Sequence, residues 1–217
     1  KVVKKDKLPE IENISNNKSL LSHLNSFVHP YNSYNNISTT YYNNGRITLE
    51  IDKLYSEAQI NKIDNEINRL FDELVDEDNA PKTNIRIIHD YIIDNTSYDV
   101  LKIDDINDDT WQSSTAYGLL FEGYAVCSGY SDTMTIFLEK LGIPNIKVAT
   151  DQHVWNLVYL DDKWYHLDLT WNDPITESGE QILSHAFFLI DYETLMAFET
   201  EDHQFDPEIY PEATIKH

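Results

Sequence analysis

A helical pattern followed directly by three strand-like runs is the feature that most constrains the fold of this 217-residue chain. Apolar residues recur at helical spacing from Cys127 onward, and Gly142 and Pro144 are typical residues for the end of a helix. Runs rich in strand-forming residues follow at 146–149, 153–160 and 163–169. Only Asp161 and Asp162 separate the last two runs, so these runs are predicted to pair as an antiparallel hairpin. A helix followed by an antiparallel meander predicts an α+β fold.

The first 80 residues are predicted to form a tether and an annex that packs on the core. Residues 1–19 are rich in Lys, Asn and Ser and resemble a tether, which suggests that a signal or anchor has been removed. The annex, residues 20–80, is predicted to contain a half-buried strand at 46–51, just after the tight-turn signal Asn43-Asn44-Gly45. A capping-box pattern that starts at Ser56 predicts an amphipathic helix in the same annex.

Residues 81–217 are predicted to form the core. A helix follows Pro81 and ends near Asn95, and residues 99–110 are predicted to form an acidic loop. That loop imitates the start of a calcium-binding loop, but Thr110 stands where such a loop requires glycine. No pair of His or Cys residues has the spacing of a zinc site. Neither a metal nor a cofactor is therefore expected.

The net charge of the chain limits its partners. Lys and Arg total 16 against 38 Asp and Glu, which gives a formal net charge of −22. Such a surface repels nucleic acid and anionic lipid headgroups, and no apolar run reaches the length of about eighteen residues that a membrane helix needs. We expect a protein or peptide partner, with a basic one favoured by the charge, and neither nucleic acid nor membrane insertion. The tether predicts an extracellular or cell-surface location.

The single cysteine, Cys127, excludes a disulfide within the chain and a zinc site built from several thiolates. Its predicted place in the first turn of a helix favours a thiolate, because free amides and the helix dipole stabilise negative charge there. His153 begins the strand that is predicted to pack on this helix, and it is a candidate general base. Positions that pair across the hairpin sum to about 323, which brings Asp168 within one register step of His153.

Each of these three residues also has a purely structural interpretation. A lone cysteine is most often a small buried hydrophobic residue, His153 fits a hydrogen-bonded core histidine, and Asp168 fits the cap of a turn. All three in this order, with their flanking Gly and Trp residues, favour a Cys-His-Asp triad instead.

Three segments of the chain form a recognisable set of motifs. They are Tyr117-Gly118-Leu119-Leu120 through Val126-Cys127-Ser128-Gly129-Tyr130, His153-Val154-Trp155-Asn156, and Trp164-Tyr165-His166-Leu167-Asp168-Leu169-Thr170-Trp171. These segments resemble the bacterial branch of the transglutaminase-like superfamily, and the likeness extends over residues 85–205. The resemblance implies a papain-like core in which a catalytic cysteine at a helix N-terminus packs on an antiparallel sheet. It also implies that Cys127, His153 and Asp168 are the catalytic triad.

Residues near the triad are predicted to support acyl transfer. The oxyanion of an acyl-transfer intermediate needs two donors; the backbone amide of the cysteine is one, and Tyr117 or Gln112 is the candidate for the other. Trp155 and Trp171 are predicted to shield the thiol from water. Tyr130 lies one helical turn after the cysteine, on the same helix face. Core packing is the alternative role for Tyr117, for Tyr130 and for one of the two tryptophans.

These residues predict an enzyme that uses a thiol for acyl transfer or hydrolysis at amide bonds of a protein or peptide. If water resolves the thioester, the enzyme is a peptidase or amidase; if an amine resolves it, the enzyme is a cross-linking transglutaminase. The alternative is a noncatalytic interaction module, in which the acidic surface binds a basic partner and the triad is vestigial.

Overall fold

The computed structural model describes residues 17–105, 108, 110–175 and 182–213. The described α-helices are α1 (Lys18–Ser26), α2 (Glu57–Leu74), α3 (Pro81–Asp94), α4 (Val100–Asp104), α5 (Cys127–Lys140), α6 (Leu169–Asn172) and α7 (Tyr192–Ala197); a 3-10 helix spans Pro30–Asn32 and a π-helix spans Gly118–Glu122. The described strands are β1 (Tyr34–Tyr41), β2 (Ile47–Lys53), β3 (Ser97–Tyr98), β4 (Tyr124–Ala125), β5 (Asn145–Ala149), β6 (Val154–Leu160) and β7 (Lys163–Leu167). Residues 1–16 of the predicted tether lie outside the described part, and Lys18 already belongs to α1.

The predicted meander is confirmed as a three-stranded antiparallel sheet in the order β5-β6-β7. Leu160 pairs with Lys163 and Asn156 pairs with Leu167, so the paired positions sum to 323, as the hairpin turn predicts. Asp161 and Asp162 form that turn with φ values of 51° and 61°. Two consecutive residues with positive φ match the twist of the flanking strands, which keeps the register fixed.

The sheet separates two apolar clusters because the side chains of β6 alternate between its faces. Val158 and Leu160 join the larger cluster, which α2, α3 and α5 cover, whereas Trp155 and Leu157 join a second cluster with residues near the C-terminus. The side chain of Asn156 ties β6 to α5, because its Nδ2 donates to the Ser131 carbonyl at 3.1 Å and to Thr135 Oγ1 at 2.9 Å. The α+β fold, with α5 packed on the antiparallel sheet, is therefore confirmed.

Helix ends follow the predicted signals closely, whereas one strand end does not. Helix α5 begins at Cys127, and Gly142 has a φ of 72° just after its last turn. The strand predicted at 163–169 ends at Leu167, because the Asp168 side chain accepts a hydrogen bond from the Trp171 amide and starts α6. The predicted acidic loop contains α4, which Asp99 caps, so the loop assignment was wrong for residues 100–104. Its central residues 106, 107 and 109 lie outside the described part.

In the annex, α2 has the predicted capping box at Ser56, and β1 and β2 form a hairpin around the predicted tight turn. The strand at 46–51 was predicted to be half-buried, but Leu49 and Ile51 are 49% and 52% exposed. The reason is that β1 and β2 pair only with each other among the described strands, so neither face becomes the interior of a larger sheet. The boundary at residue 80 stays a prediction.

A buried ion pair joins α5 to β5. Lys147 Nζ contacts Asp132 Oδ1, and both side chains are almost completely buried. The Tyr55 hydroxyl donates to Asp132 Oδ2 at 2.6 Å and accepts from the Ala116 amide at 2.8 Å. One carboxylate therefore connects the helix, the sheet and the segment before α2.

Replacing Lys147 with methionine is expected to lower the free energy of unfolding by about 3–5 kcal/mol, because the Asp132 charge stays buried without its partner. Urea denaturation measures the change. The matched control is Asp132→Asn/Lys147→Met, which removes both charges but keeps an oxygen for the Tyr55 hydroxyl, and it should recover part of the loss. A single variant as stable as the wild type would contradict the assigned role of the pair.

Candidate active site

Cys127 is the first residue of α5, and its side chain is half-buried. The first turn of α5 contains no acidic residue, and no side chain caps it, so its amides and the helix dipole are available to stabilise a thiolate. Gly129 allows the preceding chain to approach this turn, because a Cβ there would lie 2.4 Å from the Ser113 carbonyl oxygen. That carbonyl accepts a hydrogen bond from the Val126 amide at 2.9 Å, which fixes the entry to the helix.

His153 lies just before β6 and is buried beside the cysteine. A turn holds its backbone, because the His153 amide donates to Thr150 Oγ1 at 3.0 Å and its carbonyl accepts from the Thr150 amide. Its Nε2 lies 2.6 Å from Asp168 Oδ2, and the Cys127 side chain is close enough to the same imidazole to help raise its pKa. Since Nε2 faces the carboxylate, Nδ1 is the ring nitrogen left for the thiol. The indole of Trp155 stacks on the ring at 5.5 Å.

Asp168 connects β7 to α6 and is 1% exposed. Its Oδ1 accepts from the Trp171 amide at 3.1 Å. Its Oδ2 faces two imidazoles, His153 at 2.6 Å and His203 at 2.9 Å. The Asp168 amide donates to the Phe187 carbonyl, which holds the backbone in place. Both carboxylate oxygens therefore have donors, as an ionised buried carboxylate requires.

The two buried charges shift each other's pKa in opposite directions. Burial alone would lower the pKa of His153, but the Asp168 carboxylate, helped by Cys127, raises it well above its ordinary value. Burial alone would raise the pKa of Asp168, but His153 and His203 hold it far below its ordinary value. The site therefore favours an imidazolium between a carboxylate and the thiol.

The structure brings two of the predicted supporting residues to the triad. Trp155 is 1% exposed and donates from Nε1 to His166 Nδ1 at 3.0 Å while it stacks on His153. Trp171 contributes its amide to Asp168, and its ring lies 5.1 Å from that of His203. Both tryptophans therefore form part of the wall around the carboxylate and its two imidazoles.

The other three predicted supporting residues have contacts elsewhere. The Tyr130 side chain is buried, and its hydroxyl donates to Asp173 Oδ2. The Tyr117 hydroxyl accepts from Lys62 Nζ of α2 at 3.3 Å. The exposed Gln112 side chain accepts from Gln59 Nε2, also on α2, at 2.6 Å. The hydrogen bonds of Tyr117 and Gln112 therefore connect the loop before α5 to the annex.

Two residues near the triad received no role from the sequence. Tyr98 of β3 pairs in parallel with Ala125 of β4, and Ala125 is two positions before Cys127. The Tyr98 ring stacks on that of Tyr130, with 6.4 Å between the ring centroids. Burial raises the pKa of Tyr98, as do the nearby acidic groups of Cys127, Asp202 and Asp168. His203 binds the carboxylate directly. Both lie within residues 85–205, over which the family resemblance extends, but neither belongs to the three motif segments.

Among the described residues, two groups of side chains are close enough to hold a metal ion: the first is His153, Asp168 and His203, and the second is His89, Asp90 and His185. In the second group His89 is buried, and Asp90 and His185 are half-buried. Asp90 Oδ1 lies 2.7 Å from a ring nitrogen of each histidine, and Asn172 Nδ2 lies 3.0 Å from His89 Nε2. Arg86 lies 3.4 Å from the remaining nitrogen of His185. Burial lowers the pKa of His89 to about 4, despite Asp90, so this imidazole is neutral. Its hydrogen bonding is complete without a cation, which fits a structural link between α3 and α6.

Sequence comparison finds a family match for the part of the chain that contains Cys127, His153 and Asp168. Residues 68–169 match the family described as the transglutaminase-like superfamily, and the matched range includes Cys127, His153 and Asp168. This confirms the family resemblance of the three motif segments. His203 lies 34 residues beyond the end of the matched range.

Two solved structures are similar to the chain at low sequence identity. One is described as a TGase; it is 18% identical, has a TM-score of 0.48, and is matched over 71% of this chain and 48% of its own. The other, a candidate cysteine protease from Cytophaga hutchinsonii, is 16% identical with a TM-score of 0.39 and coverages of 71% and 68%. The chain thus spans about half the length of that TGase. No curated protein matches the chain by sequence.

Within the residues that the structure describes, no helix combines the length and the apolar character needed to cross a bilayer.

Proposed function

We propose that the chain is a cysteine-dependent enzyme that cleaves or exchanges amide bonds of a protein or peptide. One observation supports this proposal above all others. The thiol at the start of α5 lies close enough to His153 to help raise its pKa, and His153 Nε2 lies 2.6 Å from the buried Asp168 carboxylate. A nucleophile, a base and a group that orients the base, linked in this order, are the arrangement of covalent acyl-transfer enzymes.

The proposed reaction has two halves. In the first half, the Cys127 thiolate attacks the amide carbonyl carbon, the carbon–nitrogen bond breaks, and the His153 imidazolium protonates the leaving amine. The product is a thioester between the acyl group and Sγ. In the second half, neutral His153 takes a proton from water or an incoming amine, which attacks the thioester and releases the thiol. Asp168 orients the imidazole and stabilises its charged form throughout.

The acceptor decides whether the enzyme is a hydrolase or a cross-linking transglutaminase. A peptide library should be incubated with the wild type, with and without an amine donor, and examined by mass spectrometry alongside Cys127→Ala. Products of water attack alone support hydrolysis, and adducts that retain the donor support transamidation. A library that is unchanged by the wild type under both conditions would contradict the proposed amide chemistry.

The noncatalytic alternative differs in the reactivity of its thiol. An activated Cys127 should react with iodoacetamide at pH 6 much faster than a small-molecule thiol does, because a neighbouring imidazolium and a helix N-terminus both favour the reactive form of a cysteine. A structural cysteine should react slowly. Alkylation of Cys127 at the rate of the small thiol would therefore favour the interaction module.

The Tyr98 hydroxyl is proposed as the second oxyanion donor, beside the Cys127 amide. Its raised pKa keeps the hydroxyl protonated at neutral pH, so that it can donate. Tyr98→Phe keeps the ring that stacks on Tyr130, and we expect it to lower turnover by about 10²- to 10³-fold. Alkylation of Cys127 should not change, since no oxyanion forms in that reaction. The matched control is Tyr117→Phe; if it lowers turnover and Tyr98→Phe does not, Tyr117 is the donor instead.

The charge of −22 predicts a preference for basic substrates. We expect the basic version of a substrate peptide to be turned over more efficiently than its acidic version, by about tenfold or more at low salt. The preference should shrink as salt rises from about 20 mM to 500 mM, because the screening length falls to a few ångströms. Measurement of kcat/KM for both peptides at both salt concentrations checks this. Equal values at low salt would exclude steering by charge.

A further inference from the structure

His203 binds the same carboxylate oxygen as His153. Its Nε2 lies 2.9 Å from Asp168 Oδ2, and its side chain is completely buried. It is held among aromatic rings, with centroid distances of 4.9 Å to Trp155, 5.1 Å to Trp171 and 5.3 Å to Phe187. A polar ring at the centre of an aromatic cluster is costly unless its nitrogens are hydrogen-bonded.

Both nitrogens of His203 have partners, and the partners define a direction for the hydrogen bonds. An ionised carboxylate can only accept, so Nε2 must donate its proton to Asp168. Nδ1 lies 2.5 Å from Thr200 Oγ1, three residues earlier in the chain. The Thr200 hydroxyl can donate to Nδ1, and it then fixes the tautomer that has its proton on Nε2. His203 is therefore oriented as a donor to the carboxylate.

We propose that His203 is a positioning residue of the active site, which holds the Asp168 carboxylate ionised and oriented so that Oδ2 receives His153. This inference rests on the proposed function and adds a fourth side chain to it. His203 lies outside the range matched by the family, on a segment that follows α7. The C-terminal part of the chain therefore contributes to the proposed catalytic chemistry as well as to packing.

The physical role follows from the burial of Asp168. With one imidazole donor removed, the carboxylate would lose a bond that offsets the cost of its burial. It would also lose a fixed contact on one side of Oδ2, so His153 would no longer be held in a single orientation toward the thiol. Both effects weaken the contact by which His153 activates the Cys127 thiol, so alkylation of Cys127 should become slower.

Two variants of similar size separate this role from simple packing. His203→Gln can keep both bonds, because its amide NH₂ can donate to Asp168 and its oxygen can accept from Thr200. His203→Met fills a similar volume but has no donor. The readout is the rate of Cys127 alkylation by iodoacetamide between about pH 5 and 8, measured on the full chain beside the wild type. Urea denaturation reports the stability of each variant.

We expect His203→Met to lower the alkylation rate at pH 6 by about tenfold or more. This is less than the roughly 10⁴-fold effect of altering the orienting carboxylate itself in a triad enzyme. His203→Gln should stay within a few-fold of the wild type, although both variants lose stability. Equal rates for the two variants, whether high or low, would overturn the proposal and leave His203 a packing residue. A wild type that reacts no faster than a small thiol would contradict the proposed function itself. A reactive wild type with equal rates for the two variants would contradict only the role of His203.

Thr200→Val provides a second test if neither His203 variant folds. It removes only the hydroxyl that fixes the His203 tautomer, and Thr200 is half-buried, so little packing is lost. A several-fold lower alkylation rate at pH 6 would support the proposal, and a rate equal to that of the wild type would overturn it.

Discussion

Replacing Cys127 with alanine is expected to abolish turnover, by at least about 10⁴-fold, while the fold stays intact. Without the thiol no thioester can form, and no other cysteine exists in the chain to replace it. The side chain is half-buried at the first position of α5, so its removal creates little cavity volume. Alanine is also the best helix former, which preserves α5.

The measurement compares the wild type and the variant on a substrate from the peptide library, with circular dichroism and urea denaturation as tests of folding. Cys127→Ser is the matched control, because it keeps a polar atom of similar size but cannot form a thiolate. It should be nearly as inactive as the alanine variant. If Cys127→Ala keeps most of the activity, the nucleophile has been assigned wrongly.

The sequence was sufficient to predict those structural features that depend on a few neighbouring residues. The capping box at Ser56, the positive-φ glycine after α5 and the two-residue turn at Asp161 all lie within a few residues of the feature that they determine. The turn also determines the pairing of residues farther apart, because a two-residue hairpin allows one register between β6 and β7. This register is the reason that His153 and Asp168 could be placed together before the fold was known.

The sequence was insufficient where a contact depends on distant pairing. Tyr98 lies beside the cysteine only because β3 pairs with β4 in parallel, across more than 20 residues. His203 binds Asp168 only because the segment after α7 packs on the sheet. Tyr117 has motif neighbours that suggested a role in the site, yet its hydroxyl bonds to Lys62, a contact that no local pattern specifies.

Local competition explains the remaining errors. Residues 168–169 continue the alternating pattern of a strand, but the Asp168 side chain accepts a hydrogen bond from the Trp171 amide and caps a helical turn. This side-chain bond competes with strand pairing for the backbone amides, so the strand ends before Asp168. The alternation at Leu49 is likewise real, but an apolar face becomes buried only if another layer covers it. Local patterns therefore mispredict structure at two kinds of position: where a site residue such as Asp168 caps a turn, and where no further layer covers a strand, as at Leu49.

Replacing Asp168 with asparagine is expected to lower turnover by about 10²- to 10⁴-fold. The variant keeps the size of the side chain but removes the charge that raises the pKa of His153 against the effect of its burial. His153 should then lose the stabilisation of its imidazolium form, which the proposed activation of the thiol requires. The amide also cannot replace the carboxylate fully, because His203 and the Trp171 amide both need an acceptor and the amide NH₂ would favour the wrong tautomer of a neutral His153. Alkylation of Cys127 should therefore fall together with turnover.

Asp168→Ala extends the same prediction to stability. It leaves two buried imidazoles and the first turn of α6 without their acceptor, at a cost of about 1–3 kcal/mol in the free energy of unfolding. An acid whose pKa is lowered by folding stabilises the fold above its unfolded pKa of about 3.9, and a histidine whose pKa is raised does so below about 6.5. The difference from the wild type should therefore be largest between about pH 4 and 6.5 and shrink toward pH 3. Urea denaturation at pH 5.5 and pH 3 measures it, and an equal difference at both values would mean that Asp168 is not the charged partner of His153.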